Sequence, residues 1–150
     1  MDENKFQEII NFAIELEEQA AARYKDMRSM TKYDSSIKML KDLERMEREH
    51  ADTLRNLDKQ EVEDYTRRDI PDMKIGEMMA ETPPQKNMTY QEVLAHAIKS
   101  EEHSKKLYEG LAANSPSEGL RNAFLKLADE EARHKLELET IYDNEIMREM

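Results

Sequence analysis

The sequence predicts an all-α protein, a single-domain four-helix bundle whose helices run up, down, down and up, with one long crossover between the second and third helices. Three observations predict this fold. The 150 residues include only three glycines and four prolines, the residues that most often mark turns. Charged and hydrophobic residues each make up 38% of the chain, a balance typical of amphipathic helices. Four segments also carry apolar residues at intervals of three or four positions, the period of a helix face.

The first helix is predicted from about Lys5 to Met30, with Asn4 as its cap. One face of this helix carries the apolar residues Phe6, Ile10, Ala13, Ala20, Tyr24 and Met27. Glu17 interrupts the apolar row. The sequence therefore places one carboxylate among the residues that should form the core.

The second helix is predicted to begin near Ser35 or Ser36, after a short connection. Its apolar row consists of Ile37, Leu40, Leu43, Leu54 and Leu57. Glu47 and His50 interrupt this row, so a carboxylate and an imidazole are both expected to face the interior.

The third helix is predicted to begin at Thr89, because Glu92 three residues later completes a capping box. Its row consists of Leu94, Ala97, Ser104, Tyr108 and Leu111. Glu101 lies in the same row, as Glu17 does on the first helix.

The fourth helix is predicted to begin within Ser115-Pro116-Ser117-Glu118, which offers a serine cap, a proline at the first helical position and a glutamate that completes the box. Its row consists of Leu120, Phe124, Leu127, Leu138 and Ile141. Glu131 and His134 interrupt it.

The segment from about 65 to 88 lacks a sustained apolar period and is predicted to be the crossover. It contains Pro71, Gly76, Pro83 and Pro84. A helix of about 26 residues is about 39 Å long, and at least about 12 extended residues are needed to span that length. The segment is long enough to join two helical hairpins, at about 4–64 and 89–149, in the up-down-down-up order.

An internal repeat supports two matching hairpins. The motif AIxxEE occurs at residues 13–18 and 97–102, ExxH occurs at 47–50 and 131–134, and Tyr24 matches Tyr108, each with an offset of 84 positions. Two such hairpins would face each other across an approximate two-fold axis. The chain is therefore predicted to be a duplicated helical hairpin.

The residues that interrupt the four rows predict a paired-metal site. They are Glu17, Glu47, His50, Glu101, Glu131 and His134. Burying these carboxylates and imidazoles unpaired would be strongly unfavourable, and two divalent cations would compensate. Since residues i and i+3 share a helix face, each ExxH motif offers an imidazole and a carboxylate to one region. Glu47 and Glu131 are expected to bridge the metals, with Glu17 and Glu101 as terminal ligands.

Iron is the metal that this ligand set favours. Four carboxylates neutralise two Fe(II) ions, and three residues per metal leave room for an oxidant. Zinc would bind but cannot change oxidation state, and manganese is chemically admissible. The chain has no cysteine, so a sulfur-based electron donor must lie outside it.

Several neighbours of these residues receive other interpretations. The hydroxyls of Tyr24 and Tyr108 could each support a ligand carboxylate, with an ordinary core tyrosine as the alternative. His96 and His103 are interpreted as boundary or surface residues. The same solvated interpretation is given to Glu18, Glu44, Glu102 and Glu130.

The net charge of −11 disfavours nucleic acid and anionic membranes as partners and attracts cations. The N-terminus is acidic where a signal peptide would be basic. A cytoplasmic protein is therefore expected.

The segments AIELEEQAAARY, ERMEREH, AIKSEEHSKKLY and LADEEARH are similar, in order, to the four ligand helices of rubrerythrins, a branch of the ferritin-like di-iron proteins. This resemblance covers nearly the whole chain and implies the same six ligands. It also implies a homodimer with a non-haem di-iron centre that reacts with peroxide or oxygen in cytoplasmic oxidative-stress defence. Electrons would come from an external donor such as a rubredoxin-like protein, because the Cys-bound iron of full-length rubrerythrins has no counterpart in this cysteine-free sequence.

One departure from the family pattern concerns the reaction. Rubrerythrins carry an extra glutamate three residues after the terminal ligand of the third helix, and this chain has Ser104 there and Ala20 at the matching place on the first helix. Three functions stay open: a di-iron peroxidase or oxidase, a ferroxidase that handles iron, and a non-catalytic metal-stabilised interaction module.

Overall fold

The computed structural model describes residues 3–57, 61–79 and 87–149, without the side chain of residue 149. This part of the chain folds into four long α-helices and contains no β-strand. The helices are α1 (Glu3–Met27), α2 (Asp34–Arg55), α3 (Tyr90–Ala113) and α4 (Glu118–Glu145), with short 3-10 helices at Gly76–Met78 and Met147–Glu149. The all-α four-helix prediction is confirmed. None of the described helices is long and apolar enough to cross a membrane.

The helices pack as two hairpins, as the repeat predicts. The most extensive contacts are between α3 and α4 and between α1 and α2, and smaller ones join α1 to α3 and α2 to α4. Each hairpin therefore consists of two helices that follow each other in the sequence. A site shared by the two hairpins would lie at the face between them.

The start of α3 follows the sequence prediction. The Thr89 hydroxyl accepts a hydrogen bond from the backbone N–H of Glu92 at 3.1 Å, and the Glu92 carboxylate accepts the backbone N–H of Thr89 at 3.5 Å. The start of α4 is two residues later than the pattern suggests. Ser117 is the cap, accepting the N–H of Leu120 at 3.2 Å, whereas the Ser115 hydroxyl donates to a carbonyl oxygen at the end of α3.

The ends of the first hairpin differ from the predicted ones. Asn4 lies inside α1 rather than capping it, and α1 ends at Met27 instead of Met30. Helix α2 begins at Asp34 and has no side-chain cap. Ser36 is buried, and its hydroxyl donates to the carboxylate of Glu145 on α4. That serine therefore joins the two hairpins instead of starting a helix.

The apolar core consists of two clusters. One contains residues such as Met27, Leu40, Leu94 and Leu138, and the other contains residues such as Ile10, Leu54, Leu111 and Phe124. Along each of the four helices, the polar residues predicted to face inward fall between members of the two clusters. The bundle thus has a polar layer with an apolar cluster on either side.

The crossover runs along α4, in the same direction as that helix. Its described part, residues 61–79, begins where the N–H of Val62 donates to the carbonyl of Gly119 at 3.0 Å. It ends where the N–H of Gly76 donates to the buried Glu139 carboxylate at 3.1 Å. This path confirms a traverse of the bundle. Pro83 and Pro84, which the sequence also assigns to the crossover, lie outside the described residues.

Gly76 lies where the crossover meets the core. A Cβ at this position would lie 3.0 Å from the Cγ2 of Ile98. That contact is tight, so the Ile98 side chain would have to shift by a few tenths of an ångström to admit a larger residue. The absence of a side chain thus lets the backbone N–H of Gly76 reach Glu139.

Candidate metal centre

The polar layer contains all six predicted residues, and each is at most 4% exposed. Helix α1 supplies one glutamate and α3 supplies another, while α2 and α4 each supply the glutamate and histidine of an ExxH motif. Burial of so many ionisable groups among apolar residues is unusual unless something compensates their charge. Their convergence is the first indication of a site.

The six residues form two overlapping groups. Glu17, Glu47, His50 and Glu131 each offer a ligand atom within 4.8 Å of the others, and so do Glu47, Glu101, Glu131 and His134. Glu47 and Glu131 belong to both groups. This geometry could hold two metal ions with the two ExxH glutamates shared between them, which is the arrangement expected from the sequence.

Both imidazoles turn Nδ1 toward the shared glutamates. His50 Nδ1 lies 2.7 Å from Glu131 Oε1, and His134 Nδ1 lies 2.5 Å from Glu47 Oε1. The two rings are nearly parallel, with centroids 5.5 Å apart and an angle of 14° between their planes. Each ExxH histidine thus faces the glutamate of the other ExxH motif, across the two hairpins.

Unpartnered oxygens in the layer fit a metal cation. One carboxylate oxygen of each of the four glutamates, the Oε2 atom, is buried and accepts no hydrogen bond from the described residues. A buried acceptor without a donor is destabilising, by about 1–3 kcal/mol and more when charged. Carboxylate and imidazole donors together suit iron, manganese and zinc. The residues present therefore fit two such ions.

Two tyrosines support the terminal glutamates crosswise. Tyr108 on α3 donates to Glu17 Oε1 at 2.8 Å, and Tyr24 on α1 donates to Glu101 Oε1. Burial and the nearby carboxylate charges raise the pKa of both hydroxyls well above the usual value. Each tyrosine therefore remains a proton donor at neutral pH. The predicted supporting role of the tyrosines agrees with this geometry, with each partner on the opposite hairpin.

A comparison with known protein families identifies the family of this chain. A family model described as rubrerythrin matches residues 8–83 and 92–148. The chain belongs to the rubrerythrin family. No significant match was found among the curated proteins or among the solved structures. The two matched stretches include all six residues of the polar layer, so the resemblance noted in the sequence is confirmed over the whole rubrerythrin bundle.

The protonation of the layer, without metal, follows from its crowding. Burial raises the pKa of Glu47 well above its usual value, and the charges of Glu101 and Glu17 raise it further. Burial would also raise the pKa of Glu17, but its interactions with the neighbouring Glu47 and His50 side chains lower it. The pKa of His50 is lowered by burial but raised more by Glu130 and Glu17, to about 9. The proton that His50 keeps at neutral pH therefore compensates some of the negative charge that bound metals would compensate in this layer.

Sequence reasoning missed one residue of this site. Glu130 was interpreted as part of a solvated face, but it is half-buried and its Oε2 lies 2.6 Å from Nε2 of His50. Its position just before Glu131 was the only signal, because Glu130 stands outside the apolar row and the repeat places Met46 at the matching position. The solvated interpretation was therefore wrong for Glu130.

The other neighbours occupy more ordinary places. Glu44 is half-buried and pairs with Arg28 and with Arg48, the latter at 2.9 Å. Glu18 is exposed and pairs with Arg55. His96 and His103, which the sequence assigns to the boundary or surface, are half-buried and exposed, respectively. Glu102, which the sequence assigns to a solvated face, is half-buried.

Ala20 on α1 and Ser104 on α3 are the positions at which the sequence departs from the expected rubrerythrin pattern. Ala20 and Ser104 are buried, at 3% and 7% exposure. Neither side chain carries a carboxylate, so the layer keeps four glutamates and two histidines. The two half-sites are therefore matched in ligand type, unlike a centre with an additional glutamate on one side.

Proposed function

We propose that this member of the rubrerythrin family is a non-haem di-iron oxidoreductase, which reduces peroxide or oxygen with electrons from an external donor in oxidative-stress defence. The observation that carries the proposal is the pair of overlapping groups that share Glu47 and Glu131. Their unpartnered oxygens and the family membership support it.

The residues that would hold the metals divide into two positions. The first position, made by Glu17 and His50, and the second, made by Glu101 and His134, share the two ExxH glutamates. Iron is preferred because its oxidation state changes readily with these ligands. When bound, two Fe(II) ions would supply the two electrons that, with two protons, convert one peroxide into two waters, and the external donor would return those electrons.

The protein itself would hold the ligands in place and limit access of water. The hydroxyl protons of Tyr24 and Tyr108 stay on the tyrosines and fix one oxygen of Glu101 and of Glu17. Hydrogen bonds of this kind orient a ligand carboxylate and leave its other oxygen for the metal. Apolar clusters on both sides of the polar layer keep the surroundings dry, which strengthens electrostatic interactions inside.

The partners form part of the proposal. The chain carries no cysteine, so the electrons would come from a separate donor, for which a rubredoxin-like protein has suitable chemistry. A cytoplasmic homodimer is proposed on the family resemblance alone. Sedimentation of the purified protein would measure its oligomeric state.

The decisive experiment is anaerobic loading with Fe(II), followed by stopped-flow mixing with hydrogen peroxide and, separately, with oxygen. We expect two iron ions per chain and oxidation by at least one oxidant, with faster reaction with peroxide indicating a peroxidase. A protein that holds iron but is oxidised by neither would have only a structural centre, and one that binds no metal would overturn the proposal.

A matched pair of variants links the reaction to the site. Glu101→Gln removes a carboxylate of the second position, whereas Glu102→Gln removes the neighbouring half-buried carboxylate, which pairs with Lys99 at 3.6 Å. We expect the first variant to lose iron and oxidation and the second to keep both. Equal behaviour of the two variants would contradict the assignment of Glu101.

A further inference from the structure

The two halves of the polar layer are alike in ligand type but differ in one contact. His50 Nε2 lies 2.6 Å from the carboxylate of Glu130. His134 Nε2 is buried and has no hydrogen-bond partner among the described residues. One imidazole is therefore held at both nitrogens, and the other is held only at Nδ1.

A sequence difference between the two repeats accounts for this difference in contacts. The repeat relates His50 to His134 and residue 46 to Glu130, each by 84 positions, and residue 46 is a methionine. A thioether is at most a weak acceptor and carries no charge. The asymmetry therefore comes from a substitution between the two repeats, within an otherwise matched ligand set.

The contact with Glu130 selects one form of the His50 ring. Both ring nitrogens lie next to carboxylates, Nε2 next to Glu130 and Nδ1 next to Glu131. Because Nδ1 faces the polar layer, a metal bound there would leave the ring proton on Nε2, where it donates to Glu130. In the neutral ring Nδ1 then holds the free electron pair, and Nδ1 is the atom that lies 2.7 Å from Glu131 and 3.4 Å from Glu17. A carboxylate on the far nitrogen fixes the tautomer and orientation of a metal-binding histidine and makes it a stronger ligand.

Glu130 is itself held by its surroundings. The preceding residue, Asp129, accepts hydrogen bonds from the side chains of Tyr65 and Arg67 and from the N–H of Arg68, so the crossover fixes this turn of α4. A cavity of about 20 Å³ lies beside Glu130, large enough for one water. Its other lining residues are Tyr65, Arg68, Lys126, Asp129 and Arg133. Three of these are cationic, which suits a charged carboxylate.

We propose that the two metal positions are unequal, and that Glu130 is the positioning residue that makes the position of Glu17 and His50 bind metal first and more tightly. This inference rests on the proposed function, since it requires a centre that holds two metal ions. It adds an order of loading, which a centre with two equivalent halves would not have.

The first test compares two half-site variants by anaerobic titration with Co(II), followed by visible absorption, at several pH values so that the affinities are compared after correction for proton release. His134→Ala keeps the position supported by Glu130, and His50→Ala keeps the other one. We expect His134→Ala to bind its Co(II) ion about 10- to 100-fold more tightly than His50→Ala. Equal affinities would overturn the inference.

The second test adds Glu130→Gln to each half-site variant. The amide has the same length but no charge, so it holds the His50 ring less strongly. We expect a loss of affinity of about 10- to 100-fold with His134→Ala and no change with His50→Ala. Glu44→Gln is the matched control, because Glu44 is a half-buried, hydrogen-bonded glutamate whose partners are arginines, and it should change neither affinity.

A gain of function keeps the inference testable if Glu130→Gln folds poorly. By the repeat, Met46→Glu should bring a carboxylate to the far nitrogen of His134. In the His50→Ala background we expect it to tighten Co(II) binding by about tenfold, with helix content checked by circular dichroism. No gain from a folded Met46→Glu variant would contradict the role given to Glu130.

The outcomes separate this inference from the function on which it rests. Wild-type protein that binds two Co(II) ions with indistinguishable affinities would overturn the inequality and leave the di-metal centre intact. Failure of the wild-type protein to bind any Co(II) or Fe(II) would overturn both.

Discussion

Two buried carboxylates stand two residues apart on α4 and have opposite surroundings. Asp129 accepts hydrogen bonds from Tyr65, Arg67 and the backbone N–H of Arg68, so both of its oxygens have donors. Glu131 is fully buried, and its Oε2 has no donor among the described residues. A carboxylate whose oxygens all accept hydrogen bonds stabilises the fold. A buried carboxylate with an oxygen that accepts none is available to bind a cation.

The charges of the two regions follow the same division. Burial would raise the pKa of Asp129, but hydrogen bonds from Tyr65 and Arg68 and the nearby Arg67 guanidinium lower it, so that this group is ionised and compensated. In the polar layer, burial and neighbouring carboxylates instead raise the pKa of Glu47. The charge of Asp129 is thus compensated by its neighbours, whereas the polar layer requires additional positive charge.

The largest expected effect comes from breaking the layer at its shared ligand. We expect Glu131→Gln to reduce bound metal from two ions per chain to one or none and to abolish oxidation by peroxide, because Glu131 belongs to both groups. The metal-free variant should unfold at about the same urea concentration as the metal-free wild type, because relief of crowding among the four carboxylates offsets the weakened contact with His50 Nδ1. Metal analysis and urea titration measure these outcomes, and a fully loaded variant would contradict the division.

The pH dependence of metal binding should be nearly as large. The pKa of His50 is raised to about 9 in the absence of metal, so at neutral pH a metal must displace its proton. Metal affinity should therefore rise about tenfold per pH unit below pH 9, or about 100-fold between pH 6 and pH 8. The raised pKa of Glu47 acts in the same direction. Calorimetric titration with zinc in buffers of different ionisation enthalpy measures the proton release, and a flat affinity would show that His50 is already neutral.

The structural carboxylate should give the opposite result. Asp129→Asn weakens the charge-assisted hydrogen bonds that hold the crossover on α4. We expect the free energy of unfolding to fall by about 2 kcal/mol, with two metal ions per chain retained. Urea denaturation and metal analysis of the same sample test both halves of this expectation. Loss of metal without loss of stability would reverse the roles assigned to the two regions.

The smallest effect should sharpen the comparison inside the layer. Tyr108→Phe removes the donor to Glu17, and Tyr24→Phe removes the donor to Glu101. We expect each to weaken metal binding by about tenfold, Tyr108→Phe at the position of Glu17 and Tyr24→Phe at the position of Glu101. Titration in half-site variants would show which position is affected. The reverse assignment would contradict the crosswise hydrogen bonds.

Most residues of the polar layer could be predicted because they are ionisable residues within otherwise apolar rows. Glu17 and Glu101 interrupt apolar rows, and the repeat links Glu47 to Glu131 and His50 to His134. The capping box at Thr89 involves only neighbouring residues, so it could also be found. In each of these cases the signal is local or is repeated at a fixed offset.

Other features depend on contacts between distant parts of the chain. Glu130 shows no local sign of its role, since its partner His50 lies on another helix. The anchoring of the crossover by Asp129 could not be found either, because an extended segment has no period that would show its path. Ser115 and Ser117 are both suitable caps by residue type, and the sequence does not show that Ser117 caps α4 while Ser115 donates to the end of α3.

The crosswise contacts mean that neither hairpin contains a complete metal position. The position of His50 needs Glu131, and the position of His134 needs Glu47, so each draws on both halves of the chain. The crossover therefore acts as a tether, which sets the effective concentration at which the two halves meet. If the tether were cut, metal binding would depend on protein concentration, and the metal would become the link that assembles two separate hairpins.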